Sequence, residues 1–345
     1  MTPQATVTDV GCTMRTKPAD VPYCGVRKKR IKKARPVLNN RNLLYLYHFI
    51  RRRYVIHLRK DVLKKDPPWT NDDVFRDYRF TNIRREHDKE TRWVIEHITS
   101  NPELSYEDKL INVILFRLYN KHETAELISM PFKFSETPNW NPEWYRSLFE
   151  AAMVEDPDCV FFTNAFYTSG LKRVLKQYLP EADPKNSMEM RILWFIDAIV
   201  KDSIADKIKS SKTQEDVIDV LCSYNGIGRF LAYQFYVDMT YIDEFPFSEN
   251  EFTIAGPGCI MGLDYLFEDR DGMSYEECLF WLRDNLDRLF VEELGKDWDA
   301  KRVFWDLPEY DRCFNVMCLE NCFCELSKYI RAKDGTGRPR KRYKA

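Results

Sequence analysis

Apolar residues recur at helical spacing along most of the chain, whereas the alternation of apolar and polar residues typical of strands is almost absent. Asn39 and Asn40 offer a cap to a first long helix that continues to about residue 65, where Pro67 and Pro68 follow. Ser105 predicts a further helix start. The same spacing predicts helices over residues 72–78, 82–98, 108–122, 142–154, 169–179, 187–208, 275–294 and 310–332. We therefore predict an all-α fold.

Residues 221–236 have the pattern of two helices joined by a Gly-Ile-Gly turn, which is typical of a helix-hairpin-helix at about residues 213–238. Gly226 and Gly228 lack a Cβ and can adopt positive φ, so the turn can direct backbone N–H groups and the next helix N-terminus at a phosphate. Ile227 and Arg229 complete the predicted DNA-binding set. The alternative is a plain helical corner whose glycines only permit close approach.

Charge is distributed unevenly, although the formal net charge is only −1. Residues 1–65 hold 17 of the 53 Lys and Arg but 3 of the 54 Asp and Glu, and residues 331–345 hold 7 and 1. The ends therefore attract polyanions such as DNA, while the 29 basic and 50 acidic residues between them repel polyanions. We predict a disordered basic arm over 1–37, a single α-helical domain over 38–335 and a basic tail over 336–345. Solubility or nuclear localisation is the alternative role of the ends.

The chain has no run of about 18 apolar residues and no charged-then-apolar signal pattern. We expect an intracellular protein without a membrane partner, cytoplasmic in a phage or bacterial context and nuclear in a eukaryotic one. Its ten cysteines should then be reduced. Cys313, Cys318, Cys322 and Cys324 cluster, but their spacing lacks a CxxC pair, which favours buried thiols over a metal site.

Arg85 and Asp88 lie three residues apart in a predicted helix, so that Arg85 could orient the carboxylate of Asp88 toward a cleft. Aromatic and polar side chains precede them: Tyr78, Arg79, Phe80 and Asn82. A solvated, salt-bridged helix face is the alternative interpretation of this pattern.

Three further patterns carry candidate chemistry. Gln234 and Asp238 lie four apart on one helical face beyond the hairpin, where Asp238 could serve as a base or only cap the helix. Gly256 and Gly258 permit a turn with exposed amides that could bind phosphate, or a loop without chemical use. The pair Glu325 and Lys328 shares a face with Asn321 and could form an ion pair toward the same cleft.

The chain lacks the sequence motifs of several enzyme classes. There is no G-x-x-x-x-G-K-[ST] loop, which argues against a P-loop kinase. There is no H-x-E with P-C-x-x-C, which argues against a zinc deaminase, and no G-x-S-x-G elbow.

Four blocks together resemble a known family. The blocks are FRDYRFTNIRREHDKETRW, YNGIGRFLAYQFYVDM, AGPGCIMGLDYLF and NCFCELSKYIR, in order over about residues 72–331. They are similar to the helical domain of phage 5-hydroxymethyl-deoxyuridine DNA kinases and to amino acid:DNA transferases, the α-glutamyl/putrescinyl thymine pyrophosphorylases. The resemblance implies a fold akin to helix-hairpin-helix DNA glycosylases. In that system a kinase activates a 5-hydroxymethyl group as a pyrophosphate, which an amine displaces.

The resemblance implies a DNA base hypermodification enzyme of the transferase type, with a companion hydroxymethyl-pyrimidine DNA kinase and an amino acid or polyamine as amine donor. Catalytic roles are expected for Asp88, Asp238, Arg85, Glu325 and Lys328. Substrate binding is expected for Tyr78, Arg79, Phe80, Asn82, Gln234, Gly256 and Gly258. No cofactor is required by these residues, and Mg²⁺ is left open. A non-catalytic DNA-binding module and a glycosylase-like hydrolase are the alternatives, since the chain has no kinase motif and its basic arm has no counterpart in the family.

Overall fold

The structure is a computed structural model that describes residues 31–163, 169–180, 187–304, 314–337 and 339. Within these ranges helices dominate, which confirms the predicted all-α fold. The α-helices are α1 (Asn40–His57), α2 (Asp73–Asp77), α3 (Lys89–Val94), α4 (Tyr106–Tyr119), α5 (His122–Leu127), α6 (Arg146–Glu155), α7 (Ser169–Leu175), α8 (Met188–Lys201), α9 (Ile204–Ser210), α10 (Gln214–Cys222), α11 (Arg229–Met239), α12 (Pro257–Leu266), α13 (Tyr275–Arg288), α14 (Ala300–Val303) and α15 (Val316–Lys333).

Several helix ends are extended by tighter or wider turns. In the described ranges, turns of π-helix follow three α-helices, at Leu58–Val62, Ile95–Thr99 and Leu289–Glu293. Short 3₁₀ segments occur at Arg85–His87, Phe134–Glu136, Pro142–Tyr145 and Lys176–Tyr178. No helix in the described part of the chain is both long enough and apolar enough to cross a membrane.

The predicted caps of α1 and α4 are present. The Asn39 side chain accepts a hydrogen bond from the Asn42 N–H, and the Ser105 side chain accepts one from the Asp108 N–H. Each bond satisfies an N–H group that has no partner within its helix, which fixes where the helix begins.

A two-stranded antiparallel pair joins the start of the described chain to its second half. Strand β1 (Val37–Leu38) pairs with β2 (Phe267–Asp269), and Ile31 just before it is buried. Residues 31–37, which the sequence assigned to a disordered arm, therefore contact the helical body. Residues 1–30 of that predicted arm and most of the predicted tail lie outside the described residues.

Two helix predictions and one turn prediction need correction. The helix predicted over 82–98 begins only at Lys89, because residues 81–88 form an irregular segment with one 3₁₀ turn. The helix predicted over 187–208 is broken where Ser203 adopts a left-handed backbone with φ of 53°. The turn predicted at 255–258 opens a helix, α12, with Gly256 as its N-cap.

Helix α12 packs unusually closely against α15, because two glycines on one face of α12 meet it. A Cβ on Gly258 would lie 2.5 Å from Cys324 Sγ, and a Cβ on Gly262 would lie 2.3 Å from the Phe323 carbonyl oxygen. Both distances are far below van der Waals contact, so only glycine permits this packing. The contact fixes α15 beside the N-terminus of α12.

Candidate active site

The irregular segment 81–88 lies between α11 and α15. Its backbone is held from the α15 side, since the Thr81 N–H donates to Glu325 Oε2 at 3.3 Å and Asn321 Nδ2 donates to the Asn82 carbonyl at 3.1 Å. Arg53 Nε of α1 donates to the Phe80 and Thr81 carbonyls. These bonds replace a helical ladder, which explains why the segment is not helical.

Arg85 reaches from this segment to α11. Its guanidinium donates to Gln234 Oε1 at 2.7 Å and to Asp238 Oδ1 at 3.2 Å. Asp238 is fully buried and its second oxygen accepts from Arg117 Nε of α4. Burial alone lowers the pKa of Arg85, but the charges of Asp238 and Asp88 outweigh it and the pKa is raised. Arg85 is therefore a fixed cation, 11% exposed at its side chain.

The position of Asp238 argues against the predicted role as a base. Both of its carboxylate oxygens are occupied by arginines, and it has no exposed surface. Removing one partner of such a buried pair leaves an uncompensated charge, so Asp238 is suited to hold Arg85 and Arg117 in place. We therefore assign Asp238 the role of positioning Arg85 and Arg117.

Glu320 of α15 is the carboxyl group that sequence analysis missed. It is 6% exposed, and its Oε1 accepts the Gly256 N–H at 3.1 Å. Burial raises the pKa of Glu320 to about 7, against the lowering effects of that N–H and of the Arg85 charge. A carboxyl group with such a pKa can both accept and donate a proton near neutral pH.

Asp88 lies at the N-terminus of α3. Its Oδ1 accepts from the Asn82 backbone N–H at 3.0 Å and from Asn82 Nδ2 at 2.9 Å. Burial raises the pKa of Asp88, although these bonds and the charge of Arg53 act in the opposite direction. Asp88 and Asp238 thus act on the same arginine, Arg85, but Asp88 is not stacked on Arg85 along a helix as predicted.

Several buried polar atoms of the 81–88 segment are not satisfied. Within the described ranges, Asn82 Oδ1, Arg85 Nε and Glu86 Oε2 have no hydrogen-bond partner. Buried polar groups normally have one, so their concentration in one segment is typical of a functional site. One donor and two acceptors of this segment are thus left without a partner in the fold.

Glu325 and Lys328 form the predicted ion pair on α15. Burial lowers the pKa of Lys328, but the Glu325 carboxylate outweighs it and the net shift is upward, so this cation persists at neutral pH. The Lys328 side chain is 38% exposed, whereas Glu325 is buried and holds the Thr81 N–H. Lys328 is thus available to an anion beside the segment.

Other predicted substrate-binding residues belong to the packing of the fold. Phe80 is buried, with its ring 5.7 Å from that of Phe49 and 6.2 Å from that of Tyr329, and Tyr78 is buried as well. Neither is an open stacking surface, while Arg79 is exposed. The Gly256 N–H is directed at Glu320 and Gly258 packs on Cys324, so the predicted phosphate-binding turn is a helix start.

The hairpin has the predicted order of helix, turn and helix, between α10 and α11. Gly226 adopts a φ of 96°, as the turn requires, whereas Gly228 is extended at the N-cap of α11 with a φ of −87°. Ile227 is buried. Arg229 is 52% exposed but pairs with Glu215 at 2.6 Å and lies 3.8 Å from Asp219. The assignment as a DNA-binding helix-hairpin-helix stays a prediction, and its basic side chain is partly neutralised.

One group of potential metal ligands lies on the surface of the described residues. Atoms of Glu90, His122 and Glu123 lie within 4.8 Å of one another, and His122 pairs with both carboxylates. Cys318 and Cys322 are buried and Cys324 half-buried, and burial raises the pKa of the Cys324 thiol to about 12. Cys313 lies outside the described residues.

Neither Glu320 nor Arg117 was predicted from the sequence. Each lies in a regular helix, α15 and α4, and a charged residue in a helix is normally expected to face solvent, but in α4 all residues from 108 to 119 are buried. A signal existed for Glu320, since it immediately precedes the block NCFCELSKYIR. Only the close packing of α12 against α15 turns it inward.

The four sequence blocks meet at this site. Segment 81–88 contacts α11 through Arg85 and contacts α15 through Thr81, while α12 meets α15 through Gly256 and Glu320. The fold and the site thus define an all-helical domain with a buried cationic and carboxylic cluster at its centre. The chain belongs to the family described as the helical domain of 5-hmdU DNA kinase, whose model matches residues 41–338. The resemblance of the four blocks is thereby confirmed.

A curated relative supports the same membership. The chain is 27% identical over 297 residues to the 5-hmdU DNA kinase of Bacillus phage SP10. The match covers 83% of this chain but 44% of the relative, so the chain spans less than half the length of that kinase. No solved structure matches the chain.

Proposed function

We propose that the protein is an enzyme of DNA base hypermodification and acts as a transferase. It replaces the pyrophosphorylated 5-hydroxymethyl group of a thymine-derived base in DNA with an amine nucleophile. The observation that carries the proposal is that the buried Glu320, which accepts the Gly256 N–H, lies within the electrostatic influence of the fixed cation Arg85 where the four family blocks meet.

The reaction needs two functions that these residues can supply. A bond forms between the amine nitrogen and the methylene carbon of the base, the bond from that carbon to the pyrophosphate oxygen breaks, and the amine loses a proton. Glu320 takes that proton in the proposed mechanism, because its pKa suits transfer at neutral pH. Arg85 and Lys328 neutralise the departing pyrophosphate.

The base must leave the DNA stack to reach a site this buried, at a cost of a few kcal/mol. The unsatisfied atoms Asn82 Oδ1 and Arg85 Nε are suited to contact the polar edge of the base. Gln234 orients Arg85 and therefore acts on the base indirectly. A companion kinase that forms the pyrophosphate is part of the proposal, since this chain has no P-loop.

The test is a transfer assay with DNA that carries the pyrophosphorylated base, an amine donor and the purified protein, read by mass spectrometry of the nucleosides. Wild type should yield the amine adduct and free pyrophosphate. Glu320→Gln should lower the rate by roughly 10²- to 10⁴-fold, the range typical of general acid–base catalysis. The matched control is Glu276→Gln, since Glu276 accepts the neighbouring Ala255 N–H at 3.1 Å. No adduct with wild type under any donor would contradict the proposal.

The second candidate is a DNA-binding module without catalysis. It is favoured by the engagement of both Asp238 oxygens with arginines, which removes one predicted base. Tight binding of modified DNA with intact nucleosides would support it. Release of a free base in the same assay would instead support the glycosylase-like hydrolase.

A further inference from the structure

Glu90, His122 and Glu123 bring three side chains that can bind a metal ion to the point where two helices begin. Glu90 lies in the first turn of α3, and His122 and Glu123 are the first two residues of α5. His122 Nδ1 lies 3.1 Å from Glu90 Oε1 and 3.2 Å from Glu123 Oε2. The side chains of Glu90 and His122 are 25% and 12% exposed, so the group is partly enclosed and can still be reached from solvent.

Hydrogen bonding alone does not account for this arrangement. An imidazole carries at most one hydrogen on Nδ1, and the Nδ1 of His122 faces two carboxylate oxygens at almost the same distance. Acidic side chains are favourable at helix N-termini, which accounts for each glutamate separately but not for their meeting at one nitrogen. One imidazole with two carboxylates is a donor set that a divalent transition metal binds.

The separations of the ligand atoms suit such an ion. Zn²⁺ binds histidine nitrogen and carboxylate oxygen at about 2.0–2.2 Å with tetrahedral geometry, which places neighbouring ligand atoms roughly 3.3 Å apart. Both distances from His122 Nδ1 are close to that value, and all three ligand atoms lie within 4.8 Å of one another. Three protein ligands leave the fourth position of the ion to a water molecule.

The second oxygen of each carboxylate has a contact of its own. Glu90 Oε2 accepts the His122 backbone N–H at 2.8 Å, and Glu123 Oε1 lies 3.6 Å from Lys89 Nζ. Outer contacts of this kind orient the ligands of metal ions in proteins. The fold therefore directs the first oxygen of each glutamate at the imidazole before any ion is bound.

Arg117 connects the two parts of this group to the candidate active site. Thr91 follows Glu90 in α3, and its hydroxyl accepts from Arg117 Nη2 at 3.4 Å. Asn120, which has a left-handed backbone with φ of 51°, lies between α4 and α5, and its Oδ1 accepts from Arg117 Nη1 at 2.6 Å. The same arginine donates to Asp238. Movement of α3 against α5 would thus disturb Arg117.

We propose that Glu90, His122 and Glu123 bind a divalent transition metal, with Zn²⁺ as the expected ion, and that the ion fixes the start of α3 to the start of α5. The ion is structural and acts on the candidate active site only through the position of Arg117. The inference does not depend on the proposed transfer to DNA, because a structural ion is bound whether or not the chain is an enzyme.

Isothermal titration calorimetry of the full chain with Zn²⁺ tests the assignment of the ligands. Wild type should bind the ion, and Glu90→Gln and His122→Gln should each weaken binding by about 100-fold or more, since loss of an outer contact alone costs roughly 10- to 100-fold. The matched control is Glu126→Gln, because Glu126 is an exposed glutamate of the same helix outside the group. It should bind Zn²⁺ as wild type does, and circular dichroism checks that each variant is folded.

Two measurements on wild type need no variant. One equivalent of Co²⁺ in place of Zn²⁺ should give visible d–d bands without an intense thiolate charge-transfer band in the near ultraviolet, because no cysteine is a ligand. Zn²⁺ should also slow amide hydrogen exchange in α3 and at the start of α5 more than in α13, because the ion restrains local opening of the helices that it joins.

The possible results support or overturn the inference separately from the proposed function. Absence of Zn²⁺ and Co²⁺ binding to wild type overturns it, and the two glutamates then serve the helix N-termini only. Equal Zn²⁺ affinity in wild type, Glu90→Gln and His122→Gln overturns it as well, as does a thiolate band with one equivalent of Co²⁺, because the ion is then bound elsewhere. Zn²⁺ binding that requires both side chains, without any transfer to DNA, supports the metal site and contradicts only the transferase.

Discussion

Replacement of Glu320 by glutamine should make the protein less sensitive to pH, independently of any enzymatic activity. Glu320 is almost fully buried, and burial raises the pKa of its carboxyl group from 4.5 to about 7. Glutamine has the same shape and keeps an oxygen for the Gly256 N–H. The substitution therefore removes the ionisable group and little else.

The direction of the pH dependence of the free energy of unfolding follows from which state, folded or unfolded, loses the proton of Glu320 first. Below pH 4.5 the carboxyl group is protonated in both the folded and the unfolded chain, so its preference for burial as a neutral acid is fully realised. Between pH 4.5 and 7 the unfolded chain ionises while the folded protein does not, and the free energy of unfolding falls. Each unit of difference in pKa corresponds to about 1.4 kcal/mol, so the loss across this window is about 3 kcal/mol.

Denaturant unfolding of wild type and Glu320→Gln at pH 5 and pH 8 measures this effect. The contributions of all other titrating groups cancel when the free energies of unfolding of the two proteins are subtracted. We expect the variant to gain about 3 kcal/mol relative to wild type between the two pH values. Glu276→Gln on the neighbouring amide is the control. A wild-type-minus-variant difference that stays constant from pH 5 to pH 8 would refute the reasoning about Glu320.

Three further changes test separate parts of the structure. Asp88→Asn should lower transfer, because the Asp88 charge raises the pKa of Arg85, with DNA affinity unchanged or higher in a binding assay; normal turnover would contradict a role for Asp88. Gly228→Val should fold normally, since a Cβ there meets nothing within 4 Å, and should weaken DNA binding at all sequences alike; unchanged affinity would show that the hairpin does not bind phosphate. Gly262→Ala should lower the free energy of unfolding by about 1–3 kcal/mol, because its Cβ would collide with the Phe323 carbonyl.

Regular helices and their caps were predictable because local spacing and local hydrogen bonds define them. Asn39 and Ser105 cap the helices they precede. The segment 81–88 was not predictable in this way, since its conformation depends on bonds from Glu325 and Asn321, more than 200 residues away in sequence. Local spacing predicts its polar residues on one face of a helix, and tertiary contacts override that local pattern.

The candidate site was only partly predictable for a related reason. Arg85, Gln234 and Asp238 were recognised as polar groups at helical spacing, and the structure joins them across 149 and 153 residues. Their roles depend on the hydrogen bonds between Arg85, Gln234 and Asp238, and the spacing of residues in the sequence does not reveal those bonds. Glu320 was missed because its burial follows from glycines in another helix, at Gly258 and Gly262.

The charges around the hairpin limit how it can contact DNA. Arg229 is the basic side chain of the turn, and its pairing with Glu215 reduces the long-range attraction that the hairpin itself can exert on DNA. A phosphate contact there is therefore expected mainly from backbone amides at the N-terminus of α11, which add no counterion-releasing charge. Binding through the hairpin should then depend little on salt, while binding through the basic ends should depend steeply on it. The salt dependence of the Gly228→Val variant compared with wild type distinguishes these two contributions, since the variant removes only the first.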